Sequence, residues 1–211
     1  MAKLWIKICG ITRAEDAAAA VKLGADALGA VFYPGSKRAM TSDKLASVFA
    51  SVPESVRRIA LFVNPQRELV DQVCATGMID WLQFHGSESV AYCESFGRPY
   101  VKAIHMDPDT NAAELANLYQ SAEFVLLDKY DKQAPGGTGK TFDWQPLAEM
   151  REAFSGRLVL AGGLTPDNVA EAVRIVRPDG VDVSTGVESG PGIKDHERIR
   201  QFIEGARSGQ D

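Results

Sequence analysis

The chain has 211 residues, 45% of them apolar and 24% charged, which is the composition of a folded globular protein and not of a disordered one. Its 23 basic and 28 acidic side chains give a net charge of −5 with no basic run, which argues against nucleic acid or an anionic membrane as a partner. No apolar run approaches the ~20 residues of a transmembrane helix, and three cysteines with no C-x-x-C spacing point to a reduced, cytoplasmic protein without a zinc knuckle.

Short β-rich runs alternate with amphipathic stretches along the whole chain. The first strand is expected over residues 4–9, where Lys7 interrupts any secretory apolar core. A helix over 13–23 follows, then strands over 27–32 and 58–63 and a helix over 66–76. Strand 79–84 leads to helix 87–96, strand 100–104 to helix 112–120, and strand 124–128 to helix 142–154. Strand 158–161, helix 166–176, strand 180–184 and helix 195–205 complete the series. Eight strands in 211 residues leave about 26 residues for each strand–helix unit, the compact end of a (β/α)8 TIM barrel. The alternative, an open doubly wound sheet, lacks its G-x-G-x-x-G turn after the first strand. No linker or composition shift interrupts the chain, so residues 1–211 are expected to form one barrel domain with the last few residues disordered. Thr165-Pro166-Asp167-Asn168 reads as a helix start with proline at the first position, and Asn64-Pro65 and Ser87-Glu88 read similarly. Gly24, Gly77 and Gly97 read as helix stops.

Barrel enzymes take their reactive groups from the C-terminal strand ends and the loops that follow. Alternation leaves Trp5, Lys7 and Cys9 facing inward, with Cys9 at the mouth, either as a small buried hydrophobe or as a functional thiol. Asp128 ends an apolar strand at the same mouth, as a loop cap or an active carboxylate. Gln83 and His85 share the inward parity, and His85 is a loop hydrogen-bonder or a catalytic group. Asp182 is an active-site carboxylate or the buried partner of Lys7 or Lys102. Gly162-Gly163 and Ser184-Thr185-Gly186 follow strands seven and eight, where a phosphate-binding barrel keeps its anion site. A short helix near Gly186 would add its dipole. That paired location favours phosphate binding over plain tight turns. Residues 134–141, APGGTGKT, nearly match a P-loop, but Lys129 to Gln133 separate them from the strand. A glycine-rich lid beside Asp128 accounts for them better than an NTPase.

Taken in order, these motifs resemble the phosphoribosylanthranilate isomerase family. The likeness runs from Lys7-Ile8-Cys9-Gly10-Ile11-Thr12 and Phe32 to Arg38, through Gln83-Phe84-His85-Gly86 and Leu127-Asp128, to Ala161-Gly162-Gly163-Leu164, Asp182 to Glu188 and Pro191 to Asp195. Phe84 stands where leucine is common and Thr185 where a second serine is common, though Thr185 keeps the hydroxyl. The resemblance implies an Amadori rearrangement of N-(5-phosphoribosyl)anthranilate to 1-(2-carboxyphenylamino)-1-deoxyribulose 5-phosphate, the third step of tryptophan synthesis from chorismate. It implies Asp128 as general acid, Cys9 as general base and Arg38 as the anchor of the anthranilate carboxylate, with no metal or organic cofactor; no obligate protein partner is inferred. On that reading Cys9 should be lowered in pKa by positive charge, including Lys7, and Asp128 held protonated once substrate binds. A related amino-sugar phosphate isomerase of the histidine pathway usually works with two aspartates, which Cys9 argues against. A phosphosugar-binding module that has lost catalysis is disfavoured by intact Cys9, Asp128 and Arg38.

Overall fold

The computed structural model describes residues 3–106, 112–128 and 144–210. Eight parallel strands close into a barrel in sequence order: β1 (Trp5–Cys9), β2 (Ala27–Val31), β3 (Arg57–Phe62), β4 (Trp81–Phe84), β5 (Tyr100–His105), β6 (Phe124–Asp128), β7 (Leu158–Ala161) and β8 (Gly180–Val183). β8 returns to pair with β1 through Lys7 opposite Asp182, so the barrel itself has no open edge. Around the strands lie α1 (Ala14–Leu23), α2 (Leu45–Phe49), α3 (Arg67–Ala75), α4 (Val90–Glu94), α5 (Ala112–Leu118), α6 (Gln145–Ala153), α7 (Val169–Val176) and α8 (His196–Ser208).

The period of two along each strand sorts side chains between two cores. Ile6 and Ile8 face outward and join the large core between strands and helices, with Leu28, Ala60, Leu82 and Leu160. Trp5 faces inward and closes the barrel floor against Phe124, with ring centroids 4.7 Å apart, and against Trp81. Cys9, Val31 and Leu61 form a small apolar ring nearer the mouth. The interior is thus packed below and chemically open above.

Local punctuation differs from expectation in three places, each because a side chain found a better partner. Helix α7 starts at Val169, three residues after Pro166, because Asn168 Oδ1 accepts the Thr165 N–H at 2.8 Å and holds 165–168 as a turn. Helix α4 is capped by Ser89, whose Oγ accepts from Tyr92 N–H. Ser87 instead donates to Asn64 Oδ1, and Glu88 is buried beneath the loop. Asn64 itself sits in the left-handed region at φ 45°, and α3 begins at Arg67. The glycine stops hold: Gly24, Gly77 and Gly97 all have positive φ. Two elements had no sequence signal. The five-residue α2 is too short for a helical period. The antiparallel pair β9 (Glu188–Gly190) and β10 (Ile193–Lys194) is too short to alternate.

Candidate active site

The barrel mouth is built around a buried ion pair. Lys7 Nζ donates to Asp182 Oδ2 at 2.7 Å, with Lys7 wholly inaccessible and Asp182 nearly so. This settles the partner of Asp182 as Lys7. Lys102 lies on the outer face of β5 and holds Glu88 at 3.1 Å and the Gly86 carbonyl. Burial pulls the Lys7 ammonium down, but Asp182 and Cys9 outweigh it, so Lys7 stays charged. Asp182 Oδ1 is buried without a hydrogen-bond partner among the described residues.

One step above the pair, Cys9 ends β1 and is 5% exposed. The neighbouring strand makes room for the thiol with Gly29, where a Cβ would stand 2.8 Å from Cys9 Sγ. Burial pushes the Cys9 thiol up, and the charges of Lys7 and Lys194 recover only part of that. The expected lowering is therefore corrected. Lys7 is present as anticipated, but its charge is largely committed to Asp182, and dehydration of the thiolate dominates.

Asp128 ends β6, and His85 follows β4. His85 Nε2 donates to Asp128 Oδ2 at 2.8 Å, while Gln83 Nε2 donates to His85 Nδ1 at 3.1 Å. Burial raises the Asp128 carboxyl, but His85, then His105 and Lys7, outweigh it and hold it below the ordinary carboxylate range. The protein alone therefore does not keep Asp128 protonated, because three cationic or donor groups converge on it; the expected protonation belongs to the substrate-bound state. His105, the last residue of β5, pairs in register with Asp128 and also donates to the His85 carbonyl at 3.1 Å. Sequence reasoning missed His105, although the parity of Val101, Ala103 and His105 could have found it.

Arg38 arches over Gly10, where a Cβ would lie 2.5 Å from Arg38 Cδ. Its guanidinium forks onto Glu188, with Nε to Oε1 at 2.6 Å, and Nη2 also reaches Thr185 Oγ1 at 3.3 Å. Lys194 meets Glu188 Oε1 at 2.9 Å and the Ser184 carbonyl at 3.1 Å. Neither Glu188 nor Lys194 was singled out from sequence, since a charge pair six positions apart across a short hairpin has no period to betray it. Ser184 to Thr185 thus sit beside Arg38 at the head of a 3-10 turn over Thr185–Val187, where the short helix was expected. Gly162 and Gly163 adopt consecutive positive φ, 78° and 69°, so side chains there would be strained. Gly186 has a different reason. A Cβ there would stand 2.0 Å from the Leu164 carbonyl oxygen, so loops seven and eight touch backbone to backbone. The P-loop-like segment and the expected lid, 134–141, lie outside the described residues. Among the described residues no helix is long and apolar enough to cross a membrane.

A family model described as N-(5'phosphoribosyl)anthranilate (PRA) isomerase matches residues 6–205. The chain belongs to this family. An N-(5'-phosphoribosyl)anthranilate isomerase of Pseudomonas fluorescens (strain Pf0-1) is 50% identical over 201 residues, covering 95% of this chain and 97% of the relative. One of Cellvibrio japonicus (strain Ueda107) is 49% identical, covering 96% and 93%. Among solved structures, the family's enzyme from Thermotoga maritima superposes with a TM-score of 0.87 at 39% identity, covering 97% of this chain and 98% of that one. A family structure in complex with reduced 1-(o-carboxyphenylamino)-1-deoxyribulose 5-phosphate gives a TM-score of 0.84 at 37% identity, with the same coverage.

Proposed function

We propose that this chain converts N-(5-phosphoribosyl)anthranilate into 1-(2-carboxyphenylamino)-1-deoxyribulose 5-phosphate. The observation that carries the reading is that Cys9 and Asp128, on strands from different parts of the barrel, open on one mouth in a chain of this family. Asp128 delivers a proton to the furanose oxygen as nitrogen pushes in, which opens the ring to a protonated imine. The Cys9 thiolate then removes the proton from C2 of the sugar, and the enolamine tautomerises to the ketone. The glycines and hydroxyls of loops seven and eight, Gly162, Gly163, Ser184, Thr185 and Gly186, hold the phosphate. His85 and Asp182 position Asp128 and Lys7 respectively beneath the substrate. The chemistry needs no electron sink beyond the protonated imine. With all three cysteines unpaired, we place the protein in the cytoplasm, acting on a small molecule without an obligate protein partner.

Arg38 remains the anchor for the anthranilate carboxylate in this reading, although Glu188 already takes much of its fork. Arg38→Ala is expected to raise KM more than it lowers kcat and to cost at least ~30-fold in kcat/KM, the loss of about 2 kcal/mol of charge-assisted hydrogen bonding. Steady-state kinetics with the substrate and with an analogue lacking the carboxyl group check this. Equal discrimination between the two by wild type and variant would remove Arg38 from the role.

The directions of the two pKa shifts make the pH dependence specific. Asp128 ionises early and Cys9 late, so the working combination, acid protonated and base ionised, is a minor form. Its abundance is constant between the two pKa values. The kcat/KM profile, followed by loss of substrate fluorescence, should be flat through neutrality. It should fall below the depressed carboxyl pKa and again above the ordinary thiol value of about 8.5. A rising limb near pH 7 that disappears in Cys9→Ser would instead report a lowered thiol and contradict the account.

A further inference from the structure

Three neighbouring strands end in groups that metal ions bind. His85 follows β4, His105 ends β5 and Asp128 ends β6, and one ligand atom from each lies within 4.8 Å of the other two. The chain has only three histidines, and two of them meet here. A tetrahedral zinc-type site with bonds of about 2.0–2.2 Å wants its ligand atoms roughly 3.4 Å apart. Small rotations of the exposed His105 ring and of the Asp128 carboxylate span that difference. Beneath them, Gln83 is wholly buried and its Oε1 has no hydrogen-bond partner among the described residues. Turning that amide over presents Oε1 to His85 Nδ1–H. This selects the tautomer whose Nε2 lone pair faces Asp128, the orientation that metal-binding histidines take from an outer carbonyl.

We propose that His85, His105 and Asp128 form a reversible inhibitory site for a divalent transition-metal ion of the zinc type. Two imidazoles and one carboxylate suit Zn²⁺, Co²⁺ and Ni²⁺ better than Mg²⁺ or Ca²⁺. They leave a fourth position for water. Binding replaces the hydrogen bond from His85 to Asp128 with two bonds to the ion. Asp128 is then locked as an ionised ligand and cannot deliver a proton. The binding half of the proposal rests on geometry alone. The inhibitory half rests on Asp128 being the general acid.

The test uses the chelator-stripped full chain titrated with CoCl2. One equivalent should produce the visible absorption of four-coordinate cobalt, and ZnCl2 should abolish it by competition. ZnCl2 should also suppress turnover, and EDTA should restore it. His105→Ala and His105→Gln should weaken cobalt binding by more than the ~10–100-fold typical of losing an outer-shell partner, whereas His196→Ala should leave it unchanged. A titration without a visible band overturns the site, as does a band that survives both His105 variants. A sulfur-to-cobalt band lost in Cys9→Ser places the ion elsewhere and also overturns it. If the band behaves as expected while ZnCl2 leaves turnover intact, the inhibitory half is overturned and the binding half stands; the role of Asp128 itself is read separately from turnover of Asp128→Asn without metal.

Discussion

Cys9→Ser is expected to fold normally and to lose about 10²–10⁴ of kcat, the usual contribution of a general base. A serine hydroxyl is a far weaker acid than a thiol, so at neutral pH it offers essentially no anion to take the C2 proton. The loss should fall on kcat, because the phosphate loops and Arg38 are untouched. The other two cysteines are the natural controls. Cys74 lies in α3, half-buried on the helix, and Cys93 is buried in α4 with its thiol pushed up to about 12, mainly by burial. Neither opens on the mouth. Cys74→Ser and Cys93→Ser should change stability modestly and turnover hardly at all. Comparable kcat losses in either helical variant would show that the effect of Cys9→Ser is not specific to the strand end.

Lys7→Met is expected to cost about 3–5 kcal/mol of stability, the range for removing one partner of a buried pair. Asp182 would be left without its counter-ion in a site only 7% exposed, with its Oδ1 already lacking a partner among the described residues. For a chain of this size that is a fall in Tm of roughly 6–20 °C. The penalty belongs to the stranded carboxylate, so Lys7→Met combined with Asp182→Leu should recover much of the stability. Activity should not recover, because the double variant takes away the charge nearest Cys9. Calorimetric or urea unfolding of the three proteins checks this. A single variant as stable as wild type would show that the pair contributes little.

Much of this arrangement was legible in the residues. The eight strands and seven of the helices, the inward parity of Trp5, Lys7 and Cys9, and the mouth positions of Asp128 and His85 all follow from alternation and from where apolar runs end. The partner of Asp182 was narrowed to two lysines, and only the closure of β8 onto β1 chose Lys7. Parity could have excluded Lys102, which shares its side of β5 with Ile104 in the outer core. The helix starts at Pro166 and Ser87 were misread because Asn168 and Glu88 serve loops rather than helix ends, which local sequence rules do not distinguish. The two pKa directions were not legible at all. They are sums of burial against several charges from different strands, and at Cys9 burial wins while at Asp128 the neighbouring histidines win.

The central claim is that Cys9 and Asp128 at one barrel mouth carry out the rearrangement. It is tested most directly by incubating purified protein with N-(5-phosphoribosyl)anthranilate and following loss of substrate fluorescence, with the product identified by chromatography. Wild type should consume the substrate far faster than buffer and yield 1-(2-carboxyphenylamino)-1-deoxyribulose 5-phosphate, while a folded Cys9→Ser/Asp128→Asn double variant should match buffer. Wild type no faster than buffer, or a double variant as fast as wild type, would contradict the account.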